Sequence, residues 1–99
     1  MSVIASVVSA PKPLPGQNNR SSQNFQLVSN DGNQITAGCP GGIVFNIMKD
    51  VSWGTDPVVV EDATNETVIP GGKLDTGTNY YIANPKNASS NFNVTLSQS

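Results

Sequence analysis

Cys39 is the one side chain of ready nucleophilic chemistry in this sequence, and the chain contains no histidine to activate it. A thiol reacts as its thiolate, so the base would have to be a carboxylate or a lysine. A buried or turn thiol is the simpler reading. The seven carboxylates, Asp31, Asp50, Asp56, Glu61, Asp62, Glu66 and Asp75, offer two further chemistries. Two of them facing each other across a cleft would serve glycoside hydrolysis, but a cleft deep enough for a sugar chain would consume the core of a 99-residue chain. Glu61, Asp62 and Glu66, with Asn65 among them, supply oxygens of the kind calcium takes. Their spacing is not that of an EF-hand, and a solvated loop is the plainer reading. Gly38-Cys39-Pro40-Gly41-Gly42 and Pro70-Gly71-Gly72-Lys73 lack the hydroxyl and the following helix of a phosphate-binding loop, so both are read as turns. These residues point away from an enzyme and imply neither cofactor nor metal.

The aromatic residues pose the better question. Tyr80 and Tyr81 are adjacent, and in a strand neighbouring side chains take opposite faces, so one is expected in the core and the other outside. Trp53 is expected to be the core tryptophan of a small sandwich. Placed outside, Trp53, Tyr80 or Tyr81 would give a flat platform for a sugar ring or an anchor for a protein.

The elements that must position these residues are short and rich in β-branched side chains. Apolar residues alternate along residues 43–48 (Ile43, Phe45, Ile47) and 91–97 (Phe92, Val94, Leu96), which is the period of a strand with one buried face. Residues 3–8, 24–29, 34–37, 50–53, 57–61, 66–69 and 78–83 also read as strands. Asn30-Asp31-Gly32-Asn33 predicts a tight hairpin between residues 24–29 and 34–37. Val58, Val59 and Val60 run without a polar break, which predicts burial on both faces or cover by a neighbouring molecule. No segment has helical period. About eight or nine strands in 99 residues fit one all-β domain: a small antiparallel β-sandwich, immunoglobulin-like or jelly-roll-like, with almost no helix. Within it, residues 1–10 are an N-terminal strand, and residues 11–23, with Pro11, Pro13 and Pro15, are an extended arm that cannot feed a central strand.

Composition narrows the partners. Charged residues make up only 12% of the chain, about half the usual share, and net charge is −2. The few cations, Lys12, Lys49, Lys73, Lys86 and Arg20, are scattered, so there is no basic patch for nucleic acid. No apolar run is long enough to span a bilayer as a helix. Residues 2–10 do not read as a signal peptide, having no basic residue before Lys12 and a break at Ser6. A single cysteine forms no intrachain disulfide, which favours synthesis in a reducing compartment. The Asn-x-Ser/Thr sites at Asn19, Asn65, Asn87 and Asn93 are expected by chance in a chain this rich in these residues.

Two binding roles follow. In the first, the chain is a structural assembly subunit: a homo-oligomer or part of a larger protein assembly, such as a small virion decoration or coat-associated protein, or another extracellular particle. Val3, Ile4, Val7, Val8, Pro11 and Pro13 would make the partner contacts, the arm laying the first strand on a neighbour's sheet edge. In the second, the chain is a carbohydrate-binding, lectin-like module using Trp53, Tyr80 or Tyr81 with amide-rich loops to hold glycans.

Overall fold

Side chains that alternate in sequence alternate in burial, and this sets the two faces of each sheet. The computed structural model describes Met1–Ser99. It has strands β1 (Ser2–Ser9), β2 (Ile35–Gly38), β3 (Val44–Lys49), β4 (Val58–Ala63), β5 (Val68–Ile69), β6 (Tyr80–Lys86) and β7 (Phe92–Gln98). The only helical element is a single 3-10 turn at Gly71–Lys73. One sheet has the order β1-β7-β2-β5 and the other β4-β3-β6, with all strand pairs antiparallel.

Residues 20–27 complete the second sheet as a broken strand. Arg20 bridges Ala83 and Phe25 bridges Tyr80, both antiparallel. Phe25 and Tyr80 exchange backbone hydrogen bonds of 2.8 and 2.9 Å. With this segment counted, the pairing is nested. The first strand pairs with the last, residues 20–27 with β6, β2 with β5, and β3 with β4. This is one long hairpin rolled into two four-stranded layers, the strand order of a jelly roll. The protein is thus an antiparallel β-sandwich, 18 Å across its thinnest dimension.

Between the layers lies a core of 17 buried residues that includes Ile4, Phe25, Leu27, Ile35, Phe45, Ile47, Leu74, Tyr80, Ile82, Phe92, Val94 and Leu96. Each large apolar side chain here contributes about 1.5–3 kcal/mol by leaving water. A bulge in β1 between Val3 and Ala5 lets both Ile4 and Ala5 face inward.

Several local expectations are corrected. Residues 24–29 and 34–37 do not form a hairpin, because they lie in different sheets. The turn chemistry is nevertheless present: Asn30 Oδ1 and Asp31 Oδ1 accept from the N–H groups of Gly32 and Asn33, both at 2.9 Å, and Gly32 has φ of 90°. Asn30 Nδ2, however, donates to the carbonyls of Gly71 and Leu74 at 2.8 Å, and Gln98 Nε2 donates to Asn30 Oδ1 at 2.8 Å. Those long-range bonds carry the loop from one layer to the other. Residues 50–53 are not a strand but part of the loop joining β3 to β4. The Pro-rich arm does not hold β1 away from the body: Ala10 N–H donates to Ser21 O at 2.7 Å and Leu14 N–H to Arg20 O at 2.8 Å, folding it back on itself. Val58 to Val60 are not buried on both faces within the chain. They lie on edge strand β4, Val59 and Val60 packing against the core while Val58 is exposed.

Candidate functional site

The β3–β4 loop and the outer surface of β6 build the most chemically varied region. Tyr80 and Tyr81 do take opposite faces of β6. Tyr80 enters the main core and its hydroxyl accepts from Asp75 N–H at 2.8 Å. Tyr81 turns outward yet is only 3% exposed, packed beside Met48 and Ala83. This corrects the expectation of an open outer tyrosine, and the reason is Arg20. Anchored by the bridge to Ala83, it lays its guanidinium over the Tyr81 ring at 3.8 Å from the centroid, a cation–π contact.

Polar contacts fix this arrangement. Tyr81 Oη donates to Asp56 Oδ2 at 2.5 Å, and Val51 N–H donates to Asp56 Oδ1 at 3.0 Å. Arg20 lies 3.4 Å from Asp50 Oδ2 and also contacts Asn24 Oδ1, while Asn24 Nδ2 donates to the same Asp50 oxygen at 2.8 Å. The Tyr81 hydrogen bond, and then that from Val51, hold the Asp56 carboxyl below the usual range. Burial, and after it the Asp56 hydrogen bond and charge, push the Tyr81 phenol up to about 12. At neutral pH the pair is therefore carboxylate and phenol, locked together.

Beside this pair opens a cleft of about 570 Å³ lined by Asn18, Asn19, Met48, Asp50, Val51, Gly54, Thr55, Asp56 and Tyr81. Trp53, on the loop that borders the cleft, is 83% exposed, so it is not the core tryptophan. Phe25, Phe45, Tyr80 and Phe92 supply the aromatic volume of the core instead. Trp53 sits in a polar run, Ser52 to Pro57, whose Gly54 has φ of 76°. That turn chemistry was the available sign that it belongs to a loop.

A second region lies on the outer face of the four-stranded sheet. Register places its residues in three cross-strand rows: Val8 with Asn93; Ser6 with Thr95 and Gly38; and Val3 with Ser97, Thr36 and Val68. Not one of these nine side chains is charged. Val3, Val8 and Val68 are 57%, 56% and 54% exposed. A Cβ on Gly38 would lie 2.7 Å from Thr95 Oγ1, so a larger residue there would have to displace that hydroxyl.

The residues expected to contact a partner divide between the inside and the outside of the molecule. Val3 and Val8 are on the open face just described. Ile4 is in the chain's own core, Val7 packs against it, and β1 is an edge strand that pairs with β7 on one side. Pro11 is half-buried and Pro13 exposed on the folded-back arm. Cys39 is half-buried near Ile43, and burial pushes its thiol up, which suits a turn thiol better than a nucleophile. Glu61, Asp62 and Glu66 do not gather: Asp62 lies 3.7 Å from Lys86, and Asn65 Oδ1 accepts from Cys39 N–H at 3.2 Å. No group of three or more acidic, cysteine or histidine side chains is placed to hold a metal ion. No helix is long and apolar enough to cross a membrane. Sequence reasoning did not bring Arg20, Asp56, Asn18 and Asn19 together, because their nearness depends on the pairing of residues 20–27 with β6.

No protein-family model, curated protein or solved structure matches the chain. The fold and surface define a small all-β domain of a kind that suits a non-catalytic structural module working through protein contacts.

Proposed function

We propose that this chain is a structural assembly subunit, in the form of a small virion decoration or coat-associated protein or another repeated extracellular surface component. The observation that carries the reading is the uncharged outer face of the β1-β7-β2-β5 sheet. Taking strand spacing and rise, four strands of this length present on the order of 350 Å². Two copies of an acidic protein meet with least repulsion where neither presents charge, and a flat face of valine, serine and threonine can be self-complementary. A patch of this size is well below that of a standard stable interface, so a single contact is weak. Repetition on a particle makes weak contacts cumulative, which favours a component of an array over an isolated dimer. The jelly-roll order adds fold-level analogy with capsid proteins, an association rather than a mechanism.

The test follows from Val3 and Val8, which are exposed, whereas removing all of residues 1–10 would also strip Ile4 from the core. Light scattering across a concentration series is expected to show the mass of the native chain rising, and Val3→Asp with Val8→Asp keeping it at the monomer mass with unchanged circular dichroism. Equal behaviour of the two proteins at every concentration would refute this face as the contact.

A further inference from the structure

The geometry points to a second binding site, for a neutral saccharide, in the cleft between the β3–β4 loop and residues 18–19, with Trp53 as its stacking platform. Two hollows carry it. One is the cleft lined by Asn18, Asn19, Asp56 and Tyr81; the other is a hollow of about 440 Å³ that includes Lys49, Trp53 and Pro57. They share Asp50, Val51, Gly54 and Thr55, so the indole and the cleft are carried by the same loop.

A pyranose ring has an apolar face of axial hydrogens and an equatorial belt of hydroxyls. Its recognition needs one flat aromatic surface and several neutral donors and acceptors within a ring's breadth. Trp53 is the only aromatic side chain exposed on the molecule. The bonds bracing the cleft use Arg20, Asn24, Asp50, Asp56 and Tyr81, and leave the Asn18 and Asn19 amides and the Thr55 hydroxyl for a ligand. The floor is pre-organised: Asp56 is held by Tyr81 and Val51, and Tyr81 is clamped beneath Arg20. Fixed groups of this kind lower the ordering cost of binding. Asp50 and Asp56 are matched by Lys49 and by Arg20, which pairs with Asp50, so the site has no net positive charge to draw an acidic sugar ahead of a neutral one. A protein anchor would be expected to sit among other apolar groups that exclude water, whereas the loop that carries Trp53 also borders a cleft lined by the polar side chains of Asn18, Asn19, Thr55 and Asp56.

Trp53 is the single tryptophan of the chain, so its emission reports the site directly. Chitohexaose, cellohexaose and mannohexaose would be titrated into the native protein, with sialyllactose as the acidic comparison. At least one neutral oligosaccharide is expected to change the emission saturably and shield the indole from acrylamide. The double variant Asn18→Ala with Asn19→Ala, its fold checked by circular dichroism, should weaken that effect by ~10-fold, the scale of one or two lost polar contacts. Calorimetry on Trp53→Ala should show the heat of binding lost. No saturable change with any of the three neutral sugars at millimolar concentration would overturn the proposal, as would equal binding of sialyllactose. Shielding that grows with protein concentration in the absence of sugar would instead assign Trp53 to a protein contact.

Discussion

Tyr81 and Asp56 make a testable pair because each shifts the other's titration in a direction that links to folding. Asp56 titrates lower in the folded protein than in the unfolded chain, so its contribution is complete above the ordinary carboxylate range and is lost as pH falls through the folded value. Tyr81 is the reverse case: its phenol, pushed up to about 12, stays protonated after an unfolded tyrosine at 10.0 has ionised. Stability must therefore fall as pH rises from about 10 towards 12 and level off beyond. Thermal melts in that window should show this decline for the native protein and a smaller one for Tyr81→Phe; identical slopes would refute the linkage. Serines 21 and 22 give a second contrast. Both are buried, but Ser22 Oγ accepts from Ile82 N–H at 2.8 Å and donates to Gln23 O at 2.9 Å, whereas Ser21 Oγ has no partner. Ser22→Ala should cost about 1–3 kcal/mol by leaving the Ile82 amide unpaired, while Ser21→Ala should be neutral or stabilising. Chemical denaturation of the two variants checks both signs. Little of this was legible in the sequence. Opposite faces for Tyr80 and Tyr81 follow from strand geometry alone, but the cover over Tyr81 comes from Arg20, 61 positions away in sequence.

The strands themselves were largely legible where period two is strong. Residues 43–48 and 91–97 anticipate β3 and β7 to within a residue, because Ile43, Phe45 and Ile47, and Phe92, Val94 and Leu96, are all buried. Prediction failed where the same local chemistry serves two outcomes. Asn30 to Asn33 makes Asx turns in a loop that crosses between layers as readily as it would in a hairpin, and only the bonds from Asn30 to Gly71, Leu74 and Gln98 decide which. Those bonds make the junction sensitive. A Cβ built on Gly71 would run into the backbone carbonyls of Gly32 and Asn33, which have no room to yield. Gly71→Ala should therefore destabilise by roughly 3 kcal/mol or more, on the scale of the most damaging core changes. Gly72→Ala, with nothing near its built Cβ, should change little. Comparable midpoints for the two in denaturant would show that the loop is not held against the 3-10 turn as described.

At the scale of the whole molecule, charge is sparse and segregated. The charged pairs, Arg20 with Asp50 and Lys86 with Asp62, involve the sheet that contains β3, β4 and β6. The nine outward positions of the opposite sheet carry only valine, serine, threonine, asparagine and glycine, while exposed Glu66, whose N–H donates to Ala37 O of β2, borders that sheet. Edge strand β4 carries Glu61 and a left-handed Asp62 with φ of 53°, features that discourage edge-to-edge pairing. On the proposed reading, the β4 edge is protected and the neutral face is left open for contact. The two modes differ in their response to salt. Contacts between charged surfaces weaken when the screening length drops from about 10 Å at 0.1 M to about 3 Å at 1 M salt, whereas burial of an uncharged face does not. Sulfate, which strengthens apolar burial, should favour it. Light scattering at fixed protein concentration should therefore give an association constant that changes by less than about twofold across this range of sodium chloride and rises in ammonium sulfate. A steep loss with sodium chloride would mean that copies meet through Lys86, Asp62 and their neighbours, and would move the contact to the other sheet.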